Sequence, residues 1–505
     1  MPDPASTIRR RVLLGGAAAL GVAALTGVAT PTGRRELFTL GVASGDPLPD
    51  AVVLWTRLAP DPLAPDGLGG MAAAPVPVGW QVAADESFSQ VVRSGTTVAQ
   101  GEQAHSVHVE VAGLRPGSEY FYRFRAGNEL SPVGRTKTAP PPGARLDRFA
   151  FAFASCQHYA DGFYNAYAHL ARQDFDLVVF LGDYIYEGGS QGSIGRGHRP
   201  ARDVRTLADY RVRFAQYKTD TDLQAAHAAF PWVAVFDDHE VENNWAGDHS
   251  ESGIPPAQFR ERRAHAFQAY YEHLPLRAAQ RPAGPAMTIH RRLTFGDLVD
   301  LHVLDTRQHR SVQVPDAQRD DPGRTMLGAA QKAWLFRNLS GPTARWNVLA
   351  QQVFFSQLNP ASGAQTRSDD AWDDYEAERD EVRDHLARTR NPVIITGDAH
   401  ANFVSDVKAD FAVPASATVA TELIGTSITS EGDGVDHTPG DLAQLRANPH
   451  LRFVNRQRGY VANLVAPGEW AATYRVVERV SRPGSPVHDR AGFVVADARP
   501  GARFR

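Results

Sequence analysis

Five short apolar segments each run directly into a group of polar residues, and this repeated design constrains the fold more than any other feature. The apolar stretches are residues 149–154, 176–181, 232–236, 299–304 and 392–396. They lack the alternation of a half-exposed strand, so we expect strands buried on both faces, as in a sheet covered by helices. Open α/β sheets bind ligands at the carboxyl ends of their strands. The sequence therefore predicts an α/β domain with one site built from several strand ends.

The residues that follow these strands are of types that bind metals and phosphate. The endings supply Cys156, Asp183, Tyr186, Asp238, His239, Arg307, Asp398 and His400. Carboxylates suit Ca²⁺, Mg²⁺ or Mn²⁺, whereas thiolate, phenolate and imidazole suit a more highly charged transition metal. Two metals held close together can activate a bridging hydroxide or oxide and clamp a phosphoryl group. Taken singly, each ending also fits a turn, a helix cap or a surface ion pair, so the prediction depends on all of them occurring together.

The N-terminus and the cysteine count bear on where the protein works. Adjacent arginines at residues 9–11 precede a weakly hydrophobic, Ala/Gly-rich run that ends near residue 29. This pattern predicts a twin-arginine export signal over 1–29, the alternative being an uncleaved membrane anchor. Exported proteins usually place cysteines in disulfides, but this chain has a single Cys and cannot form an internal one. A lone Cys is often an inert core residue, yet its place at a strand end predicts a metal ligand.

The rest of the chain divides into segments of different pattern. Residues 36–145 show alternating strands between Gly, Pro and Asp turns, and Tyr120 and Tyr122 follow a turn typical of the tyrosine corner of a β-sandwich. We therefore expect a fibronectin-III-like sandwich over 36–145, a catalytic domain over 147–480 and a C-terminal tail or lid over 481–505. Later antiparallel strands are expected to form a second sheet. The net charge of −4 without a basic run gives no indication of nucleic-acid binding.

The ordered motifs resemble one enzyme family. They are Ser-Cys-Gln at 155–157, Gly-Asp-Tyr-Ile-Tyr-Glu at 182–187, Phe-Asp-Asp-His-Glu-Val-Glu-Asn-Asn-Trp at 236–245, Leu-Asp-Thr-Arg at 304–307 and Gly-Asp-Ala-His at 397–400. This set is similar to that of PhoD-like alkaline phosphatases, in the calcineurin-like metallophosphoesterase superfamily. The resemblance extends to residues 41–47, 422–429 and 458–460 and so covers nearly the whole mature chain. It implies a two-sheet α/β/α sandwich with a Fe(III)/Ca(II) centre.

The resemblance also implies which residues hold each ion. Fe(III) would take Cys156, Asp183, Tyr186 and His400. Ca(II) would take Asp183, Asp398 and residues of the 237–244 segment, for which Asp238 and Asn243 are favoured and Asn244 is an alternative. Superfamily members differ in which residue of that segment reaches the metal.

Substrate binding requires cations that face the phosphate oxygens. Arg307 is the first candidate, because a guanidinium fork matches phosphate geometry, and Arg310 is the second, with a plain surface charge as its alternative. His239 is expected to stabilise the transition state or to protonate the leaving oxygen.

The predicted function is hydrolysis of phosphomonoesters and phosphodiesters by an exported monomer. One alternative is a phospholipase D that acts on phospholipid headgroups with the same site. Another is a non-catalytic protein that binds carbohydrate or cell wall through its sandwich, although such a protein does not need the polar strand ends. A purple acid phosphatase is the last alternative, and it is expected to carry Asp at the position of Cys156.

Overall fold

The computed structural model describes residues 36–341, 343–360 and 368–505, so the predicted export signal at 1–29 lies outside the described residues. The strands are β1 (Val42–Gly45), β2 (Ala51–Arg57), β3 (Val76–Ala83), β4 (Val91–Ala99), β5 (Ser106–Ala112), β6 (Glu119–Ala126), β7 (Glu129–Leu130), β8 (Gly134–Lys137), β9 (Phe149–Ala154), β10 (Leu177–Phe180), β11 (Pro231–Ala234), β12 (Arg291–Phe295), β13 (Val299–Val303), β14 (Trp346–Gln351), β15 (Pro392–Thr396), β16 (Asn402–Lys408), β17 (Thr418–Ile424), β18 (Leu451–Asn455), β19 (Gly459–Val465), β20 (Glu469–Val477), β21 (Val487–Ala496) and β22 (Arg499–Phe504). The helices are α1 (Asn165–Leu170), α2 (Leu207–Lys218), α3 (Thr221–Ala229), α4 (Pro256–His273), α5 (Gly328–Ser340), α6 (Glu376–Leu386) and α7 (Pro439–Ala447).

Three of the five predicted strands lie side by side in a ten-stranded sheet. Its order is β22-β21-β20-β19-β9-β10-β11-β1-β2-β5, and β9, β10 and β11 run parallel. All residues of these three strands are buried, as their continuous apolar sequences require for a sheet covered on both faces. Their carboxyl ends therefore lie at the same edge of the sheet.

The other two predicted strands belong to a second, seven-stranded sheet of order β12-β13-β14-β15-β17-β16-β18. Here β13, β14, β15 and β17 are parallel neighbours. Strand β14 was not predicted, although it is completely buried, because Asn347 and Gln351 interrupt its apolar run. The two sheets share one continuous hydrophobic core, in which Phe149 of the first sheet stacks on Phe295 of the second. On the outer side of the second sheet, α5 and α6 pack through Leu335 and Val382.

The segment 36–145 is divided between two sheets. Strands β3, β4, β6, β7 and β8 form a separate five-stranded sheet. Strands β1, β2 and β5 instead extend the ten-stranded sheet, because β1 pairs in parallel with β11. The core between these layers contains the predicted tyrosine corner: the Tyr120 hydroxyl accepts a hydrogen bond from the backbone N–H of Arg115 at 2.9 Å. The predicted fold class, a sandwich followed by a two-sheet α/β domain, is confirmed.

The C-terminal strands differ from expectation. Strands β19 and β20 continue the first sheet, antiparallel to β9, and do not form a second sheet of their own. The predicted tail or lid at 481–505 contributes β21 and β22 to the edge of the same sheet, because the apolar side chains of Phe493 and Val495 are buried against it. Within the described part of the chain, no helix is long and apolar enough to cross a membrane.

Candidate metal centre and active site

The strand ends of both sheets converge where two glycines allow close approach. A Cβ on Gly182 would lie 2.4 Å from the Cβ of Asp237, and one on Gly397 would lie 2.8 Å from the Cβ and Oγ of Ser155. Any other residue would separate these loops, since contacts this short do not occur between real side-chain atoms. Gly182 therefore lets the ends of β10 and β11 approach each other within the first sheet, and Gly397 brings the end of β15 in the second sheet against the end of β9 in the first.

The residues predicted to bind iron form one cluster. Ligand atoms of Cys156, Asp183 and His400 all lie within 4.8 Å of one another. The Tyr186 hydroxyl lies 3.0 Å from Asp183 Oδ2 and 3.1 Å from His400 Nε2. Cys156, Asp183 and Tyr186 are buried and His400 is partly accessible. The set combines one thiolate, one phenolate, one carboxylate and one imidazole, donors that suit a highly charged transition metal.

A second cluster of carboxylates shares Asp183 with the first. Ligand oxygens of Asp183, Asp237, Asp238 and Asp398 lie within 4.8 Å of one another, as do those of Asp183 and Asp238 with a ring nitrogen of His239. Oxygen-rich groups of this kind suit hard cations such as Ca²⁺. Because Asp183 belongs to every group, its carboxylate is the one placed to join two cation positions.

The backbone at this site is held in an uncommon conformation. Cys156, Asp183, Asp398 and His400 have φ angles of 59°, 60°, 56° and 47°. Residues other than glycine seldom adopt these left-handed values, and such strain concentrates at functional sites. At Cys156 the conformation is fixed by its N–H, which donates to Gly182 O at 3.0 Å, and by its carbonyl, which accepts from the Ser430 hydroxyl at 2.8 Å.

The carboxylates of the cluster lie close enough together to raise one another's pKa values. Burial and the neighbouring carboxylates of Asp237 and Asp238 raise the pKa of Asp183 well above its usual range, with His239 partly opposing them. Burial and Asp370 raise the pKa of Asp398 to about 7. Burial also raises the pKa of the Cys156 thiol, as do the nearby aspartates. Bound cations would relieve this crowding and favour the ionised groups, which is how a metal-binding site behaves.

His239 lies beside this cluster and is held on two sides. Its Nδ1 is 2.7 Å from Glu187 Oε2, and its ring lies 4.2 Å from the ring of Tyr186, centroid to centroid. Burial would lower the pKa of His239, but the carboxylates of Glu187, Asp238 and Asp183 outweigh it and raise that pKa well above the usual value. A protonated imidazole at this position is able to donate a proton.

The two asparagines of the 237–244 segment lie at the rim. The side-chain amide of Asn244 donates to Glu251 at 3.0 Å, and that of Asn243 also donates to Glu251. The backbone N–H of Asn244 donates to Asp238 Oδ2 at 2.8 Å, so the loop supports the carboxylate cluster through its main chain. A role for Asn243 as a calcium ligand stays a prediction.

The two predicted phosphate-binding arginines are buried and paired with carboxylates. Arg307 donates through Nε to Asp237 and through Nη1 to both oxygens of Asp370 at 2.8 Å. Its Nη2 makes no hydrogen bond in the described structure and lies 3.7 Å from Asp238 and 3.8 Å from Asp398. Arg307 therefore provides a fixed positive charge next to the carboxylate cluster. Its contact with a phosphate group of the substrate stays a prediction.

Arg310 has its donors directed into the protein. It donates to the carbonyl oxygens of Asn244 and Trp245 at 2.9 and 3.1 Å and to Asp370 Oδ1 at 2.6 Å. Its side chain is fully buried, so it is not the surface charge considered above. These contacts favour a role in holding the 244–245 loop against Asp370.

Several supporting residues were not identified from the sequence. Glu240 accepts hydrogen bonds from the backbone N–H groups of Asp183, Tyr184 and Asp237, and so joins the ends of β10 and β11. The Ser430 hydroxyl, which donates to the Cys156 carbonyl oxygen, also lies 2.7 Å from the Tyr186 hydroxyl. Glu431 lies 3.2 Å from His400 Nδ1, a carboxylate–imidazole pair of the kind that orients metal-ligating histidines. Glu187 and Glu240 stand inside the quoted motifs, which was the only available signal for them.

A two-sheet α/β sandwich with this cluster at its strand ends defines the class of the protein as one with buried groups able to bind metal ions where the two sheets meet. The model of the PhoD-like phosphatase family matches residues 151–474, and that of the PhoD-like phosphatase N-terminal domain matches residues 23–140. The chain belongs to the PhoD-like phosphatase family.

Individual relatives agree with this assignment. Alkaline phosphatase D of Bacillus subtilis (strain 168) is 49% identical over 490 residues, which cover 94% of this chain and 83% of the relative. A solved structure of PhoD is 49% identical, with a TM-score of 0.90 over 94% of this chain and 93% of the other. A purple acid phosphatase, PPD1 of yellow lupin (Lupinus luteus), shares the fold at 12% identity, with a TM-score of 0.54 over 90% of this chain and 73% of the other.

Proposed function

We propose that the chain hydrolyses phosphomonoesters and phosphodiesters at a Fe(III)/Ca(II) centre. The observation that carries this proposal is the convergence of a thiolate, a phenolate, an imidazole and several carboxylates around Asp183. Fe(III) is assigned to Cys156, Asp183, Tyr186 and His400. Ca(II) is assigned to Asp183, Asp238 and Asp398, with Asn243 as a further candidate.

The chemistry of the donors supports this division. A thiolate and a phenolate neutralise much of the charge of a trivalent ion, and both have raised pKa values here that a strongly charged cation would lower. The carboxylate cluster beyond Asp183 offers only oxygen, which favours a hard divalent ion. Asp237 Oδ2 is a buried carboxylate oxygen without a hydrogen-bond partner in the described structure, in agreement with a site that needs additional positive charge.

Once bound, such ions supply the Lewis acidity that polarises a phosphoryl group. The chain's own residues then do three things. Arg307 pairs with Asp237 and lies 3.7 Å from Asp238, so its positive charge offsets part of the negative charge of both carboxylates and keeps them in place. Ser430 holds the Tyr186 hydroxyl. His239 presents Nε2, which makes no hydrogen bond in the described structure, to protonate the leaving oxygen.

A substrate panel tests the proposed activity. Wild-type protein, Asp183→Asn and the control Asp248→Asn are compared on p-nitrophenyl phosphate, bis-p-nitrophenyl phosphate and phosphatidylcholine. Asp248 is a suitable control because it pairs with Arg260 and Arg263 away from the cluster. We expect turnover of the first two substrates, at least 100-fold loss in Asp183→Asn on the scale of a removed catalytic group, and little change in the control. Retained activity in Asp183→Asn would overturn the proposal, and faster turnover of the lipid would favour phospholipase D.

We further propose export by the twin-arginine route. The support is the arginine-containing segment at residues 9–11 before a weakly hydrophobic run, together with metal ligands that are assembled only in the folded chain. Replacement of the three arginines by lysine should retain the protein in the cytoplasm, and an unchanged exported fraction would contradict this route.

A further inference from the structure

The outer face of the five-stranded sheet has a hollow that is lined by residues other than those of the metal centre. It lies over Gly79 of β3 and has a volume of about 590 Å³. Val78 and Val82 of the same strand belong to the core of the sandwich. Because side chains alternate along a strand, Gly79 faces away from that core. Its missing side chain leaves a gap on the exposed face of the sheet.

The side chains that border this gap are cationic or carry a hydroxyl group. Gly79 pairs with Thr96 of β4 on one side and with Arg125 of β6 on the other. In the next row on the same face, Ser94 and Arg123 take the corresponding two places. Directly paired residues share a face of the sheet, so two guanidinium groups and two hydroxyl groups border the hollow.

Both arginines have unused hydrogen-bond donors. Arg123 donates through Nε to Gln81 Oε1 at 2.9 Å, and its guanidinium lies 4.0 Å from the centre of the Phe88 ring. The Nη groups of Arg123 make no hydrogen bond in the described structure. Arg125 is exposed, and its side chain makes neither a hydrogen bond nor an ion pair with any described residue. Guanidinium groups with free N–H donors are suited to binding a carboxylate through two parallel hydrogen bonds.

The positive charge of the hollow is local. Residues 36–140 contain seven Lys or Arg and eleven Asp or Glu, yet none of the described residues that line the hollow is acidic. Glu129 lies on the adjacent strand β7, but it pairs with Ala126, which faces the core, and its carboxylate accepts the Leu37 N–H at 2.6 Å. The hollow is therefore a cationic site within an acidic segment, which favours an anionic ligand.

The remaining lining indicates what kind of molecule carries the anionic group. Leu130 pairs with Arg125 and is 50% exposed, so it gives the hollow an apolar edge. The hydroxyl groups of Ser94 and Thr96 can both donate and accept hydrogen bonds, which matches sugar hydroxyls. Trp80 packs against the core, so the hollow offers little aromatic surface on which the bases of a single-stranded nucleic acid could stack. A sugar ring, with its C–H face and its hydroxyl groups, fits this combination.

We propose that this hollow binds an acidic polysaccharide, with carboxylates of the polymer on Arg123 and Arg125 and a sugar ring over Gly79. Such binding holds the protein on a hydroxyl-rich anionic polymer. It does not depend on the reaction proposed for the metal centre.

Isothermal titration calorimetry of the full chain with an oligogalacturonate, a carboxylated oligosaccharide without phosphate, tests the proposal. We expect saturable binding that weakens as salt is added, and no binding of a neutral maltooligosaccharide. Arg123→Gln and Arg125→Gln should each weaken binding about 10-fold, the loss expected for one charge-assisted hydrogen bond. Arg115→Gln is the matched control, because Arg115 is an exposed arginine of the same segment outside the hollow, and it should bind like the wild type.

Gly79→Leu tests the hollow itself. A Cβ at Gly79 would meet Arg125 O at 3.8 Å and Gly95 O at 3.9 Å, which are ordinary contacts. The variant should therefore keep the wild-type midpoint of urea unfolding while its side chain fills the gap. We expect its affinity for the oligogalacturonate to fall at least about 10-fold.

The outcomes are independent of the proposed hydrolysis, because the probe contains no phosphate ester. No binding by the wild type, or wild-type affinity in a folded Gly79→Leu, would overturn the proposal. Equal affinity for the neutral maltooligosaccharide would contradict the role of the two arginines. Tighter binding of polyphosphate or of oligothymidylate than of the oligogalacturonate would overturn the assignment of the ligand as a polysaccharide.

Discussion

Glu240 offers the sharpest test of how the strand ends are held together. Its carboxylate is completely buried. Oε2 accepts the backbone N–H groups of Asp183 and Asp237 at 3.1 and 2.8 Å, and Oε1 accepts that of Tyr184 at 2.6 Å. The substitution Glu240→Gln keeps the shape and replaces one of the two acceptors by a donor.

The expected loss of stability in Glu240→Gln follows from the number of hydrogen bonds that the substitution removes. If the amide oxygen takes the place of Oε2, two bonds survive and the Tyr184 N–H faces an NH₂ group without a partner. A buried donor left unpaired costs about 1–3 kcal/mol, so we expect the free energy of unfolding to fall by about that amount. Burial, together with the charge of Asp237, raises the pKa of Glu240 to about 8, and nearby cations would favour its ionised form. The loss should therefore be larger in the metal-loaded protein than after chelation.

Urea unfolding with and without a chelator measures both effects. Glu381→Gln is the control, because Glu381 is an exposed carboxylate paired with Lys332 at 2.8 Å. We expect the control to match the wild type and Glu240→Gln to unfold at lower urea when metal is present. Equal midpoints for Glu240→Gln and the wild type in the metal-loaded state would refute the reasoning.

Three further predictions concern other parts of the molecule. Tyr120→Phe removes the hydrogen bond to Arg115 and should lower the free energy of unfolding by about 1 kcal/mol in urea, whereas an unchanged midpoint would contradict the tyrosine corner. Burial lowers the pKa of His302 to about 4, so this neutral histidine contributes stability above pH 6.5 that is lost as the pH falls towards 4, about 3 kcal/mol in all. His302→Phe should flatten that pH dependence of the unfolding midpoint, and an equally steep profile would exclude His302 as its source. Arg310→Lys should lower unfolding stability by about 2–4 kcal/mol and leave KM for p-nitrophenyl phosphate unchanged, while a raised KM alone would indicate substrate contact.

Local patterns predicted the individual catalytic strands well. The five apolar segments are all strands, with bounds within one or two residues of those expected, because a continuous apolar run has few alternatives to burial. The division of these strands between two sheets was not predicted. Parallel strands pair residues that are far apart in the sequence, such as Ser44 and Pro231. No local sequence pattern specifies which strands will pair in this way.

The residues of the candidate site were also predicted only in part. Ligand types such as Cys156 and His400 are visible in the sequence because their chemistry is unusual at a strand end. Glu240 and Glu187 were missed because their partners are backbone N–H groups and a ring from other loops, which only the folded chain brings near. The burial of Arg307 was missed for the same reason, since its carboxylate partners come from three separate segments.

Metal analysis together with the visible spectrum of the purified protein tests the central claim most directly. If Cys156, Asp183, Tyr186 and His400 hold Fe(III), the protein contains iron and calcium and is purple, because phenolate and thiolate ligands give charge-transfer absorption on ferric iron. Tyr186→Phe should lose or shift that band while it retains iron. A colourless protein that contains only zinc would contradict the Fe(III)/Ca(II) assignment and the role of Cys156 as a ferric ligand.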